Sequence, residues 1–206
     1  CFGTDGLVQT WYDQSGSGND ATQTTASAQP QIVSSGSVIL KNNKPSLSFS
    51  SKFLRRNNLV YTTNTLFATS VFSTIDATGV LLGQNSGGTG RSGSLEIGSQ
   101  RAKYFFNNGT SFENFSSNII VLNEQSLMTN YSFNNDYYSS LNGNSGNNQI
   151  SNQVFTPSAL GMSIGATYIG SNALSGDIQE IILWNSDESA NKTGIETNIN
   201  NFYNIY

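Results

Sequence analysis

Short apolar runs recur along the whole chain and are separated by clusters of Gly, Asn and Ser. Residues 46–49 alternate polar and apolar side chains with a period of two, as a strand with one buried face does. Residues 66–73 are apolar or small almost throughout, which is typical of a strand buried on both faces. Many short strands with turn residues between them predict an all-β sandwich or barrel. The runs predicted as strands are residues 7–12, 37–40, 46–49, 66–73, 80–83, 94–98, 103–106, 119–122, 126–133, 162–165 and 177–184.

A helical pattern occurs near the C-terminus, where apolar side chains recur at roughly helical spacing. Ser186 or Asp187 is predicted to cap this helix, because short polar side chains accept hydrogen bonds from the first free amides and acids favour the N-terminal dipole. The apolar residues of the predicted helix are Ile195, Ile199, Phe202 and Tyr206.

The length of 206 residues suits one β-sandwich domain, so residues 1–206 are predicted to form a single domain. Because the chain begins abruptly at Cys1, we expect it to be a piece of a longer polypeptide. Charged residues make up only 11%, against roughly 25% in ordinary soluble domains, and Asn, Ser, Thr and Gly supply the polarity. This composition favours an extracellular or cell-surface location, with a phage virion as the alternative.

Three classes of function are excluded by what the chain lacks. It contains no histidine, which removes Ser-His-Asp and Cys-His catalysis and every histidine-based zinc site. The net charge is −4 and the best basic pair is Arg55-Arg56, so no nucleic-acid partner is expected. No apolar run approaches the roughly 20 residues of a membrane span, so no membrane insertion is expected. The one cysteine, Cys1, permits no internal disulfide.

Four motifs occur in the order found in laminin G-like jelly rolls of the concanavalin A-like superfamily. Residues 11–21 (WYDQSGSGNDA) resemble the opening W-x-D-x-S-G-x-G-N-D/H element, and residues 44–49 (KPSLSF) resemble the strand that follows it. Residues 66–72 (LFATSVF) resemble the F-T-x-x-x-W-F strand. Residues 164–165 (IG) and 174–184 (LSGDIQEIILW) resemble the closing I-G…F-x-G-x-I-D/Q-E-V-x-I-Y/W pattern. The resemblance covers nearly the whole chain and implies a two-sheet antiparallel β-sandwich, a jelly roll, with one C-terminal helix.

The opening element also resembles the catalytic domain of sandwich-fold α-L-arabinofuranosidases, which carry a Y-D-Q-S-G-x-G-N element after a cysteine-containing approach like residues 1–10. That resemblance implies a nucleophilic Glu in a D-Y-G-N-A-E segment and an acid Asp after an I-G-G-D strand end. Here the first region reads LGQNS at residues 82–86, and Thr167 stands near the expected position of the Asp. Because a glycosidase needs two facing carboxylates, these departures predict a non-catalytic relative and no enzyme activity.

Asp13, Asn19 and Asp20 make the turn after Trp11 rich in oxygen. Asp and Asn in tight loops commonly accept hydrogen bonds from their own backbone, and this structural interpretation is favoured. The alternative is Ca²⁺, a hard cation that takes about 6–8 oxygen ligands. The resemblance adds Asp177, because the last strand of jelly rolls in this superfamily often supplies a calcium-binding acid. The predicted ligands of a structural calcium ion are Asp13, Asn19, Asp20 and Asp177.

Two pairs of carboxylates deserve comparison with a catalytic pair. Glu96 and Glu113 can meet across strands, although nothing in their spacing requires it. Asp177 and Glu180 are three residues apart on one predicted strand, so their side chains are predicted to face opposite ways. Carboxylates on exposed strands are usually solvated, and no catalytic residue is predicted.

Aromatic side chains concentrate in the middle third of the chain and are the best candidates for sugar binding. Sugars present apolar C–H faces on which an exposed ring packs, while amides and carboxylates bind the hydroxyl groups. Alternation buries every second strand residue, so Tyr104 and Phe106 share one face and Phe105 takes the other. Tyr137 and Tyr138 are predicted to lie exposed in a polar turn. The predicted ligand-binding residues are Asn135, Asp136, Tyr137, Tyr138, Arg91 and Arg101.

The leading hypothesis is a non-catalytic carbohydrate-binding or adhesion module whose partner is a polysaccharide or cell-surface glycan. The alternative is a structural domain of a surface filament or phage fibre, in which the domain forms a homo-oligomer. The third hypothesis is a glycoside hydrolase related to the α-L-arabinofuranosidases that uses Glu96 or Glu113. Fold similarity underlies all three, and a fold does not determine a function.

Overall fold

The computed structural model describes residues 3–59, 65–84, 94–107, 111–133, 136–144, 147–150 and 161–206. Two large antiparallel sheets face each other across one apolar core. The all-β sandwich and the C-terminal helix predicted from the sequence are therefore confirmed. Within these ranges, no helix has the length and apolar character that crossing a membrane requires.

The strands are short, as the frequent turn residues predict. In chain order the first ten are β1 (Gly6–Leu7), β2 (Thr10–Trp11), β3 (Ala21–Thr22), β4 (Gln31–Ser34), β5 (Ser37–Val38), β6 (Leu40–Lys41), β7 (Lys44–Pro45), β8 (Leu47–Ser50), β9 (Leu54–Asn57) and β10 (Thr65–Thr74). The others are β11 (Gly79–Gln84), β12 (Ser94–Gly98), β13 (Arg101–Asn107), β14 (Ser111–Phe115), β15 (Gln125–Phe133), β16 (Asp136–Leu141), β17 (Asn147–Ile150), β18 (Gly161–Ile164) and β19 (Ser175–Trp184). Helix α1 spans Lys192–Tyr203, and short 3-10 turns occupy Ala26–Ala28 and Ser189–Asn191.

The nine-stranded sheet has the order β1-β4-β8-β19-β10-β15-β16-β17, with β5 paired to β4. The eight-stranded sheet has the order β14-β13-β12-β11-β18-β9-β3-β2, and β6 and β7 form a separate hairpin. Neighbouring strands are often distant in sequence. For example, β19 lies between β8 and β10.

The core lies between the two sheets and is filled by the inward-facing residues of both. Leu54, Leu81 and Leu95 from the eight-stranded sheet and Phe72 and Met128 from the nine-stranded sheet are all at most 1% exposed. Burying large apolar side chains at this density is the main stabilising contribution to such a fold.

The predicted strand at residues 7–12 is divided between the two sheets. Strand β1 belongs to the nine-stranded sheet and β2 to the eight-stranded sheet. Between them, the amide of Val8 donates to the carbonyl of Pro30 (2.8 Å). The prediction of one continuous strand was wrong, because a run of β-formers does not reveal that its two ends pair with different sheets.

The predicted strand at residues 119–122 was also wrong. These residues form an irregular segment in which Ile119 and Val121 are more than half exposed and Ile120 is buried. The amide of Ile120 donates to the carbonyl of Gln100. The side chains of this segment alternate between exposed and buried, but none of its residues belongs to a strand.

A β-bulge in β19 changes which side chains share a face. Asp177 pairs with Ser73 and Glu180 pairs with Val71, and the register shifts between these pairs. Because Ser73 and Val71 are two residues apart on β10, they lie on one face, and so do Asp177 and Glu180. The prediction that the two carboxylates face opposite ways was therefore wrong.

Helix α1 begins later than the predicted cap. Asn191 is the N-terminal residue flanking the helix, and its side chain makes no capping hydrogen bond. Asp187 instead accepts the amide of Ser189 in the preceding turn (3.0 Å). Ile199 and Tyr203 are buried against the nine-stranded sheet, whereas Phe202 is 58% exposed.

Candidate functional site on the outer face of the eight-stranded sheet

The predicted tyrosine turn is a strand, β16, and its two tyrosines point in opposite directions. Tyr137 is completely buried and packs against Tyr104 in the core, with ring centroids 5.7 Å apart. Burial raises the pKa of Tyr137. Its prediction as an exposed ligand-binding residue was wrong, because strand alternation places it on the inner face. Asp136 and Tyr138 are partly exposed on the outer face, and Asn135 and Arg91 lie outside the described residues.

Tyr138 belongs to an aromatic row that crosses four strands of the nine-stranded sheet. Its ring stacks on Tyr131 (4.6 Å between centroids), and Tyr131 stacks on Phe67 (5.7 Å). Phe67 meets Trp184 edge to face, at 5.4 Å. The ammonium of Lys192 lies 5.3 Å from the Tyr138 ring centroid. Because the rings stack on one another, the row serves mainly to pack the sheet and position the helix.

The acidic turn is held together by its own hydrogen bonds. The carboxylate of Asp13 accepts the amides of Ser15 (2.8 Å) and Asn19 (2.9 Å) and the hydroxyl of Ser15 (2.9 Å). These bonds, the one from the Asn19 amide first, lower the pKa of Asp13. Asp20 in turn accepts the amide of Asp13 (2.8 Å). The geometry agrees with the structural interpretation of the turn.

Asp177, the fourth predicted calcium ligand, lies in the other sheet. Its carboxylate accepts the hydroxyl of Ser73 (3.1 Å) and pairs with the ammonium of Lys41 (3.3 Å). Across the described ranges, no three Asp, Glu or Cys side chains cluster in a way that could hold a metal ion. The donors do not fit a calcium site of 6–8 oxygens, and calcium binding stays an untested prediction.

Three charged side chains on the outer face of the eight-stranded sheet form one cluster. Glu96 on β12 is paired with Lys103 on β13, and Glu113 lies on the next strand, β14. The ammonium of Lys103 donates to Glu96 Oε2 (2.8 Å) and to Glu113 Oε1 (3.1 Å). Glu96 is completely buried, whereas the side chain of Glu113 is 43% exposed. We call Glu96, Lys103 and Glu113 the charged cluster.

Aromatic rings and a glycine surround the ammonium of the charged cluster. The Lys103 nitrogen lies 4.9 Å from the ring centroid of Phe105 and 5.9 Å from that of Phe115. A Cβ atom at Gly98 would lie 3.0 Å from both the Lys103 side chain and the Phe115 ring. Gly98 is therefore needed for the lysine to lie flat across the strands.

Moving a charged group out of water costs several kcal/mol per ion. Replacing a buried ion pair by apolar residues of similar size often leaves the stability of a fold unchanged or raises it. A buried ion pair on an outer sheet face is thus a candidate functional site rather than an optimised packing element. The arrangement does not suit hydrolysis, because the Lys103 ammonium occupies the space between Glu96 and Glu113 where a glycosidic oxygen or a water would lie.

A groove of about 500 Å³ adjoins the charged cluster at the β12–β13 turn. Its lining includes Arg101, whose guanidinium donates to the carbonyls of Ser116 (3.0 Å) and Ser117. Of the predicted ligand residues that the structure describes, Arg101 is the one next to the cluster. The groove, which we call the serine groove, is lined by Ser99, Arg101, Phe115, Ser116 and Ser117.

The same face carries a second cation further along. The guanidinium of Arg55 on β9 lies between the rings of Phe53 (4.4 Å) and Tyr168 (5.0 Å). The hydroxyl of Tyr168 donates to Asn57 Oδ1 (2.9 Å). Strands β9 and β13 are four strand spacings apart, or about 19 Å. Arg55 therefore lies well apart from the charged cluster on this face.

The two outer faces differ in which elements cover them. Helix α1 lies on the nine-stranded sheet, and no helix in the described ranges lies on the eight-stranded sheet. Part of the latter is covered by the loop after β18, where Ser163 donates to the carbonyl of Ala166 (2.5 Å). The strands that carry the charged cluster lie beyond this loop, on the other side of β11.

Sequence reasoning predicted Arg101 as a ligand residue, and it considered Glu96 and Glu113 only as a carboxylate pair that was expected to be solvated. It missed Lys103 and Arg55 as members of the same face. The available signal was the alternation within β13, which puts Arg101, Lys103 and Phe105 on one side. The pairing of Lys103 with Glu96 depends on the register between β12 and β13, and the alternation within one strand does not reveal that register.

Comparisons with known proteins identify the fold. No family model and no curated protein matches the sequence. Among solved structures, the chain resembles domain 4 of AbnA, an extracellular arabinanase from Geobacillus stearothermophilus solved with arabinotriose, with a TM-score of 0.60, 12% identity and coverage of 74% of this chain and 76% of that one.

Two further structures cover less of their own length. A putative carbohydrate-binding protein from Bacteroides ovatus matches with a TM-score of 0.58 and 13% identity, over 79% of this chain and 53% of that one. The NanB sialidase from Streptococcus pneumoniae matches with a TM-score of 0.58 and 14% identity, over 72% of this chain and 27% of that one. The chain thus corresponds to about half or less of these two proteins. Together with the sheet topology, these likenesses give this protein a two-sheet jelly-roll β-sandwich fold.

Proposed function

We propose that this protein is a non-catalytic carbohydrate-binding module that acts outside the cell, and that it binds a glycan on the outer face of the eight-stranded sheet. The observation that carries the proposal is the charged cluster, with its buried Glu96–Lys103 pair, at the margin of the serine groove. Carboxylate, ammonium and guanidinium groups form hydrogen bonds with sugar hydroxyl groups, and an aromatic ring packs on the apolar face of the sugar.

Each group has a role in this proposal. Glu113 is the most accessible member of the charged cluster and accepts hydrogen bonds from sugar hydroxyls. The ammonium of Lys103 holds the Glu113 carboxylate in place. The Phe115 ring forms one wall of the serine groove, and Arg101 orders the opposite carbonyls. Buried Glu96 fixes the position of Lys103, as a preorganised site requires.

The matched structures support the choice of ligand class. The Bacteroides structure is described as a putative carbohydrate-binding protein, and the AbnA domain was solved with arabinotriose. The low content of charged residues and the extracellular arabinanase among the matches support a location outside the cell.

The test is a glycan array with the purified domain, followed by calorimetry on the best glycan, with Glu113→Gln as the diagnostic variant. We expect binding to one glycan class and a loss of affinity of about tenfold or more in the variant, because one charge-assisted acceptor is worth about 1.5–3 kcal/mol. Glu113 is largely solvated, so the melting temperature stays near that of the unaltered protein.

Glu124→Gln is the matched control, since Glu124 is an exposed carboxylate outside the charged cluster and the serine groove. It should bind as the unaltered protein does. An array without reproducible binding, or equal affinities for both variants, would contradict the proposal. Running the array with calcium and with a chelator also tests the calcium prediction.

A further inference from the structure

A second groove lies on the opposite side of the molecule, on the outer face of the nine-stranded sheet. It has a volume of about 570 Å³ and runs between β19 and the first two turns of α1. Its lining includes Ile182 and Trp184 of β19 and Ile195 of α1. We call it the tryptophan groove. Its size falls within the 300–1,000 Å³ of ordinary small-molecule sites.

The tryptophan groove is preformed because α1, which forms one of its sides, is anchored to the sheet. The Lys192 ammonium pairs with Glu196 (2.7 Å), and Glu196 accepts the hydroxyl of Ser140 on β16 (3.1 Å). Further along the helix, Ile199 and Tyr203 pack on apolar residues of the sheet. A ligand would therefore meet a fixed helix and would not have to order it.

The lining of the groove suits a neutral sugar. All of its residues are uncharged, so it offers no partner for an ionic group. The indole of Trp184 is partly exposed and meets the ring of Phe67 edge to face. Asn198 brings a side-chain amide to the rim, and an amide both donates to and accepts from hydroxyl groups. The neighbouring Asn191 amide donates to Glu188 Oε2 (2.8 Å). An aromatic ring beside amides is the combination that binds an uncharged sugar ring.

Gly194 is an independent indication that the groove is kept open. It lies within α1, where glycine is less favourable than alanine, yet a Cβ atom there would meet nothing within 4 Å. No steric conflict with the protein explains the glycine. Because it lines the groove, its missing side chain leaves space at the rim.

We propose that the tryptophan groove is a second binding site, which takes one neutral sugar residue of a glycan chain. It does not depend on the charged cluster, since the two lie on opposite outer faces of the sandwich. A module with both sites holds two glycan segments at once, which raises the effective affinity for a polysaccharide or a dense glycan surface.

The experiment follows the indole N–H signals of the ¹⁵N-labelled protein by NMR during titration with neutral trisaccharides: arabinotriose, xylotriose, cellotriose and maltotriose. The chain has two tryptophans, so Trp11→Phe assigns the Trp184 signal. We expect the Trp184 signal to shift saturably with at least one of these sugars. Gly194→Gln, which puts a side chain into the open rim, should weaken that binding at least tenfold without lowering the melting temperature.

Thr197→Gln is the matched control, because Thr197 is exposed on the same helix and does not line the groove. It should leave the Trp184 titration unchanged, and so should Glu113→Gln, which separates this site from the charged cluster. The proposal is overturned if no trisaccharide shifts the Trp184 signal saturably, or if Gly194→Gln binds as well as Thr197→Gln. Self-association that shifts the Trp184 signal with protein concentration would also overturn it, since the groove would then be an interface between copies.

Discussion

The two outer faces of the sandwich are built in opposite ways. On the nine-stranded sheet, Ile199 and Tyr203 of α1 bury apolar surface against Val71 and its neighbours. On the eight-stranded sheet, buried outer positions carry Glu96 and Lys103 instead of apolar side chains. The first arrangement gains stability from every methylene group it removes from water, while the second has to overcome the dehydration of two charges.

This contrast distinguishes the outer positions that packing explains from those that packing does not explain. The packing of α1 on its face is explained by burial, and the tryptophan groove lies at the margin of that contact. On the eight-stranded sheet, the partly exposed Glu113 beside the serine groove is the member of the charged cluster that a polar ligand can reach. Substitutions on the two faces should therefore have different effects on stability and binding.

The largest effect is expected from Lys103→Met. This substitution removes the ammonium that lies 2.8 Å from the buried Glu96 carboxylate, and should lower the free energy of unfolding by about 3–5 kcal/mol. The double variant Glu96→Gln/Lys103→Met buries no such carboxylate and should recover most of the loss. Urea unfolding of both variants measures the difference. Equal losses would mean that the lysine acts through its packing alone, and the contrast between the faces would fail.

Ile199→Ala should have the next largest effect, because it opens a cavity between α1 and the sheet. We expect a loss of about 2–4 kcal/mol in the free energy of unfolding, from the transfer and cavity contributions together. Phe202→Ala is the matched control on the same helix, since Phe202 is 58% exposed, and it should cost under about 1 kcal/mol. Similar losses for the two variants would show that the helix is not held by its buried face.

Glu180→Gln should have the smallest effect and the opposite sign. Burial raises the pKa of Glu180 on the helix-covered face. A raised folded-state pKa favours folding at a pH below the unfolded value, and that advantage is lost as the pH rises through the folded value. The variant should therefore be more stable at pH 7, by up to about 0.5 kcal/mol, and the gain should vanish near pH 3.

Thermal unfolding of Glu180→Gln and the unaltered protein from pH 3 to pH 8 measures this effect. Tyr203 lies on the same face, and burial, together with the charge of Glu180, raises its pKa to about 12. It therefore does not titrate in this range. A variant that is less stable at pH 7 would mean that the Glu180 carboxylate makes a favourable contact.

Local pattern predicted much of the fold. Alternating runs located most of the strands, and the spacing of Ile195 and Ile199 located the helix. Of the candidate site, the sequence predicted Arg101, but it did not predict the charged cluster of Glu96, Lys103 and Glu113. The tryptophan groove could not be foreseen, because Trp184 and Gly194 belong to separate elements whose packing has no local signature.

The sequence by itself determined the fold class, the helix and the exclusion of histidine chemistry, because each follows from composition or from a period within one segment. Only the tertiary structure decided that Tyr137 faces inwards, and that a bulge turns Asp177 and Glu180 to the same side. The physical reason is that a period of two defines two faces without saying which is covered. Register and burial depend on partner strands far away in the chain.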